Sequence, residues 1–95
     1  MMFVVTDSAA EFYKNEMELG NGDCLRLFVR YAGSGDSGGF SLGVMSDKPS
    51  YDDYKQEIGG VTYFVRPDDQ WFVDRMKLDY DERSGGVLCD LPSMA

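Results

Sequence analysis

Apolar side chains recur along this chain at two periods. Leu25, Leu27, Val29 and Tyr31 fall on every second residue, with Cys24, Arg26, Phe28 and Arg30 between them. Such alternation marks a strand with one buried face, so the first set is expected to point into a core and the second away from it. Phe40, Leu42 and Val44 repeat the pattern against Ser41, Gly43 and Met45. A glycine inside that second strand suggests a bulge or a close backbone approach. Gly33, Ser34, Gly35, Asp36, Ser37, Gly38 and Gly39 lie between the two runs. This region therefore reads as strand, glycine-rich loop, strand.

The period changes on either side. Phe3-Val4-Val5 is a short β-prone run, after which Ala9, Phe12, Tyr13 and Met17 follow a helical stripe. Ser8-Ala9-Ala10-Glu11 fits a capping box, Thr6 is the alternative cap, and Gly20 is a stop signal, which together predict a helix over 8–19. Asn21-Gly22-Asp23 is turn chemistry. Downstream, 46–53 reads as a loop because Pro49 bars a central strand. Tyr54 to Ile58, Gly59-Gly60 and Val61 to Arg66 resemble a hairpin, with a helix over 50–58 as the competing reading. Pro67-Asp68 opens a short helix to about Met76, with Asp68 as cap and Phe72 and Met76 stacked at i,i+4. Leu78 to Asp81 reads as a brief strand, Ser84-Gly85-Gly86 as a turn, and Val87 to Leu91 as a last strand. This order predicts an α+β fold: a mostly antiparallel or mixed sheet, or a sandwich, with two short helices. Parallel βαβ units would need more regular helix spacing.

Composition sharpens this reading at three points. A length of 95 residues predicts one domain spanning 1–95, burying somewhat over ~60% of its unfolded surface. Hydrophobic residues make up 43% of the chain, too many for a disordered segment. The charge is lopsided, with 17 acidic residues against 9 basic ones and a formal net charge of -8. That sign opposes phosphate backbones and anionic membranes, and the scattered lysines and arginines form no basic cluster, so neither nucleic acid nor membrane is expected as a partner. The N-terminal run lacks the basic start and long apolar stretch of a signal peptide, and two cysteines do not make a disulfide framework, so the expected location is cytoplasmic. The sequence contains no histidine. The usual general base and the commonest metal ligand are thus both missing, and no enzymatic activity is expected.

Several short matches suggest chemistry. Gly35-Asp36-Ser37-Gly38-Gly39 reproduces the surroundings of a protease serine nucleophile, but that reaction needs a histidine to take the proton. Gly33 to Gly38 also fits G-x-G-x-x-G, yet a strand follows where a phosphate-binding helix must start. Asp79 to Gly85 hints at a calcium loop, with Arg83 and Ser84 standing where an oxygen ligand and a glycine are required. Asp52-Asp53 and Asp68-Asp69 read as exposed charge or helix caps. Cys24 and Cys89 read as small buried hydrophobes. The alternative is that they are two soft metal ligands, which would complete a tetrahedral site only across a symmetric dimer. Arg26 and Arg30 share a strand face with Phe28 and are expected to pair with local carboxylates.

The run Phe3-Val4-Val5, the helix lead Thr6-Asp7-Ser8-Ala9-Ala10, the strand from Leu25 to Arg30, the glycine loop, Phe40-Ser41-Leu42, the Val61 to Val65 strand and Leu78-Asp79-Tyr80 together resemble the HesB/IscA-like superfamily. Carriers of that superfamily act in iron–sulfur cluster biosynthesis. Gly39-Phe40-Ser41-Leu42-Gly43 and Asp69-Gln70-Trp71-Phe72 are similar to its cysteine-poor, YneR-like branch. The resemblance implies a small HesB-like domain. The family's carriers place one cysteine in the glycine loop, as Cys-Ser-Gly-Phe, and a Cys-Gly-Cys pair nearer the C-terminus. Laid on Ser37-Gly38-Gly39-Phe40, the loop phrase puts Ser37 at the cysteine position, and a hydroxyl cannot serve as the thiolate that holds iron. The C-terminal pair has no counterpart in Pro92-Ser93-Met94-Ala95. The implied role is a non-catalytic accessory or interaction protein in iron–sulfur or metal homeostasis. It would have a protein partner, a contact surface at Gly33–Gly39, and no bound cofactor through the family's own ligands. A homo-oligomer is possible, and the alternative function is a metal or cluster binder using Cys24 and Cys89 across a homodimer.

Overall fold

The computed structural model describes residues 1–31 and 40–92. In chain order the elements are β1 (Val4–Val5), α1 (Asp7–Glu16), β2 (Cys24–Tyr31), β3 (Phe40–Ser46), β4 (Tyr54–Ile58), β5 (Val61–Val65), a 3-10 turn (Pro67–Asp69), α2 (Gln70–Val73), β6 (Lys77–Asp81) and β7 (Gly86–Asp90). The strands form a four-stranded sheet ordered β3-β2-β5-β4 and a three-stranded sheet ordered β1-β6-β7. Most neighbours are antiparallel, but each sheet holds one parallel pair, β2 with β5 and β1 with β6. The architecture is α+β with mixed sheets and short helices, as the sequence predicts. No described helix is long and apolar enough to cross a membrane.

Helix α1 starts at Asp7, with its cap two residues before the Ser8 of the capping box. The Thr6 hydroxyl, not Ser8, accepts the Ala9 amide at 3.3 Å and is the N-cap. Ser8 lies inside the first turn and donates to Asp79 at 3.2 Å. The far end closes before Gly20, because Glu18 turns left-handed at φ 52 and the Leu19 amide returns to the Lys14 carbonyl at 2.9 Å.

The Tyr54–Ile58 and Val61–Val65 hairpin forms, and no helix occupies 50–58. Gly59 and Gly60 take φ values of 59° and 84°, the left-handed pair that a primed two-residue turn requires. Gly43 makes no bulge, since the β2–β3 register runs unbroken through Phe28↔Gly43. Its small size serves a close approach instead. A Cβ at this position would overlap the Phe28 ring and the Arg30 stem lying across it.

The second helical region is shorter than predicted. Pro67 starts the 3-10 turn, Arg66 rather than Asp68 is its N-terminal flank without a side-chain cap, and α2 ends at Val73. Arg75 then adopts φ 61 and turns the chain. Phe72 and Met76 are both fully buried, but they are not stacked along one helix.

One face of the four-stranded sheet supplies Leu25, Leu27, Val61, Tyr63 and Val65 to the core, together with Phe3 just before β1, Val5 and Leu78 from the smaller sheet, and Ala9 and Tyr13 from α1. Tyr31, which alternation places on that same face, is 72% exposed. Phe64 points to the opposite face and is nevertheless fully buried, flanked in register by Arg26 and Lys55.

Candidate functional site

The chemistry that the resemblance implies depends on sulfur. Cys24 opens β2 in the four-stranded sheet, paired with Thr62, while Cys89 lies in β7 of the other sheet, opposite Leu78. Neither is a buried hydrophobe, because Cys24 is half-buried and Cys89 exposed. Partial burial, reinforced by the neighbouring Asp90 charge, still pushes the Cys89 thiol up to about 11. Its side chain lies close enough to Tyr13 to help raise that hydroxyl, which burial first of all pushes up to about 12. A thiol held neutral in this way is poorly suited to act as a thiolate ligand.

Cys24 borders an open cleft of about 640 Å³ that also holds Glu18, Asp23 and Asp47. Two of those carboxylates already have partners. Asp23 accepts the Gly20 amide at 2.7 Å, and Asp47 accepts Arg66 at 3.1 Å. Among the described residues, no three histidine, cysteine, aspartate or glutamate side chains converge as a metal group. Within one copy, the described donors therefore do not make up a complete iron–sulfur ligand set. The Gly33–Gly39 contact surface, with Ser37 at the cysteine position, lies outside the described residues, as do Ser93–Ala95.

Each acidic pair divides: Asp52 and Asp68 are exposed, as the sequence reading has them, and their neighbours are not. Asp53 and Asp69 are 8% and 7% exposed. Asp53 accepts the Ser50 amide at 2.7 Å and fixes the turn that leads into β4. Asp69 joins two elements: one oxygen takes Arg26 Nη2 at 3.3 Å and the other takes the Val29 amide at 3.4 Å. Since β5 pairs with β2 only as far as Arg26, this carboxylate occupies the place where a neighbouring strand would accept Val29. Arg26 also reaches Asp47 at 3.9 Å and lies over Phe28, 5.1 Å from its centroid. The expected pairing of Arg26 with local acids is present. The Asp79 carboxylate accepts the Thr6 hydroxyl at 2.8 Å, the Tyr80 amide at 2.8 Å and Ser8 at 3.2 Å. These bonds, Thr6 foremost, hold it below the usual carboxylate range. All three bonds go to its Oδ1, which secures the start of α1 to β6, and the chain after Asp81 makes the turn of the β6–β7 hairpin.

Sequence reasoning missed the aromatic residues bordering the glycine loop. Tyr31 and Phe40 face each other in register at the ends of β2 and β3, with ring centroids 5.1 Å apart. Trp71 of α2 meets Phe40 edge-on at 5.8 Å. The signal was available in part: an aromatic residue stands at each strand end, and Trp71-Phe72 follows a proline-initiated turn.

The family model described as iron-sulphur cluster biosynthesis matches residues 1–90. The chain belongs to this family. It is 39% identical over 79 residues to a protein of Bacillus subtilis (strain 168) named pyruvate dehydrogenase inhibitor, an alignment covering 82% of this chain and 83% of that one. Among solved structures, the fold is similar to IscA with its [2Fe-2S] cluster, at TM-score 0.69 and 16% identity over 96% of this chain and 86% of that one. Escherichia coli SufA, involved in biosynthesis of iron–sulfur clusters, is similar at TM-score 0.66 and 22% identity over 96% and 79%. A protein from Aquifex aeolicus matches at TM-score 0.60 and 30% identity over 97% and 93%. The HesB/IscA-like resemblance and its fold are thus found as the sequence implied.

Proposed function

We propose that this family member acts by binding a protein, as an inhibitor of pyruvate dehydrogenase, and neither carries a cluster on the family's thiolates nor catalyses a reaction. The observation that carries this reading is the 39% identity to the pyruvate dehydrogenase inhibitor, which spans four-fifths of both chains. The chemistry of the described donors supports it. The two thiols sit in different sheets, and two of the three carboxylates at the cleft beside Cys24 are committed, Asp23 to an amide and Asp47 to an arginine. Recognition needs only a folded surface, and this chain retains one.

Two measurements test the reading together. Purified protein titrated into pyruvate dehydrogenase should lower its steady-state rate in a saturable manner. Anaerobic reconstitution with iron and sulfide should give no stable chromophore that depends on cysteine, with wild type and Cys24→Ser/Cys89→Ser behaving alike. An unchanged dehydrogenase rate at saturating protein overturns the inhibitor role. A chromophore lost in the double variant overturns the binding-only reading in favour of thiol ligation across a dimer.

A further inference from the structure

The row Tyr31–Phe40–Trp71–Phe72 runs from water into the core. Its last contact is an edge-on pair at 5.6 Å, ending on the fully buried Phe72. Tyr31 is 72% and Trp71 49% exposed, so two large rings that each contact Phe40 face solvent. Val29, Leu42 and Val44, on the same sheet face, are only half-buried. The strand bordering this shelf, β3, is an edge of its sheet, and its sequence from Phe40 to Ser46 contains neither charge nor proline.

The other described edges are protected in ordinary ways. β4 carries Lys55 and Glu57, β7 carries Asp90, and β1 is two residues long. Charge, proline or brevity normally keeps an edge from pairing with a second chain. Among the described edges, β3 has none of these. Aromatic anchors beside an unprotected edge are the features a docked strand uses: main-chain bonds along the edge, and side chains on the rings.

Charge selects the occupant. A second copy would bring a net charge of -8 against the same charge. Asp68, which precedes the α2 turn bearing Trp71, is exposed, while Arg30 lies on the opposite face of β2 from Tyr31. A cationic side chain on an aromatic face gains from the ring quadrupole, and its aliphatic stem covers apolar area. We propose that the β3 edge together with Tyr31, Phe40 and Trp71 docks an extended segment of a partner protein rich in arginine or lysine. This deepens the protein-binding reading above, rests on it, and gives the surface and the chemistry of what it takes.

Trp71 is the sole tryptophan, so its emission reports on this shelf alone. The probe is a short peptide of alternating arginine and leucine, titrated onto the full chain at low salt, with the glutamate–leucine analogue as control and calorimetry in parallel. The arginine peptide alone should shift Trp71 emission saturably. Tyr31→Lys should weaken that binding by roughly fivefold or more, through lost ring contact and added repulsion. Tyr51→Lys makes the same chemical change at a tyrosine 97% exposed elsewhere and should weaken binding far less. Matching thermal unfolding curves establish that both variants fold. Absence of binding, calorimetric binding without a Trp71 response, or equal weakening by the two variants each overturns the docking surface. The dehydrogenase assay separates the two claims. Wild type and Tyr31→Lys inhibiting equally refutes the surface and leaves the function standing. The expected peptide response with no effect on the enzyme refutes the target and leaves the surface standing.

Discussion

The inner face of β2 is dry at one end and wet at the other. Leu25 and Leu27 are fully buried, Val29 is half-buried, and Tyr31 is 72% exposed. All four obey one alternation, so the difference lies in what stands beside and above them. At the near end, β5 pairs alongside and brings Tyr63 and Val65 into the same core. Beyond Arg26 that ladder stops, and the Asp69 carboxylate substitutes for a strand at Val29. Periodicity therefore identifies a face, and tertiary neighbours decide how much of it is covered.

The largest test of that contrast is a matched truncation. Leu27→Ala at the dry end should cost about 2–5 kcal/mol in urea unfolding, because it leaves a cavity in a closed core. Leu42→Ala at the wet end should cost clearly less, since solvent already reaches the site. Equal losses would mean that the two ends are packed alike. Next comes the junction. Asp69→Ala strips a largely buried carboxylate from Arg26 and Val29 and should cost about 3 kcal/mol, with amide exchange accelerating at Val29 before Leu25. A uniform acceleration would show that Asp69 does not divide the sheet.

The alkaline response is smaller and belongs to the dry end. Burial pushes the Tyr63 hydroxyl up to about 12, and Tyr13 to about 12 as well. The unfolded chain ionises these groups near 10, so their stabilising effect is complete below that pH and is lost as pH rises from about 10 through about 12. Tyr63→Phe should flatten the decline of melting temperature across that window. The same slope in wild type and variant would remove Tyr63 as its source. Least of all, Tyr31→Ser should change stability by no more than about 0.5 kcal/mol, the scale of ordinary surface substitutions.

Much of the fold was legible because its signals are local. The Gly59-Gly60 turn with flanking β-prone runs specified its hairpin, and the stripe from Ala9 to Met17 specified its helix. The parallel pairs were not legible, since nothing near Val4 or Cys24 announces partners at Lys77 or Thr62. Asp69 was misread for the same reason: as sequence it is one of two adjacent acids, and only the end of β5 places it beside Val29. Tyr31 shows the limit of alternation. Of the candidate site, the Gly33–Gly39 loop that the family resemblance singles out lies outside the described residues, whereas the Tyr31–Phe40–Trp71 contact was not legible because it joins residues from separate stretches of chain.

The pairing of β1 with β6 brings Val4 and Val5 against Lys77 and Leu78. During synthesis, β1 must wait for β6, some seventy residues later in the chain, before the smaller sheet can close. Early segments can form the α1 turn and the Gly59-Gly60 hairpin, but the layer opposite Leu25 and Tyr63 stays open until residue 78 has emerged. A stall anywhere before that point strands an apolar sheet with nothing laid across it.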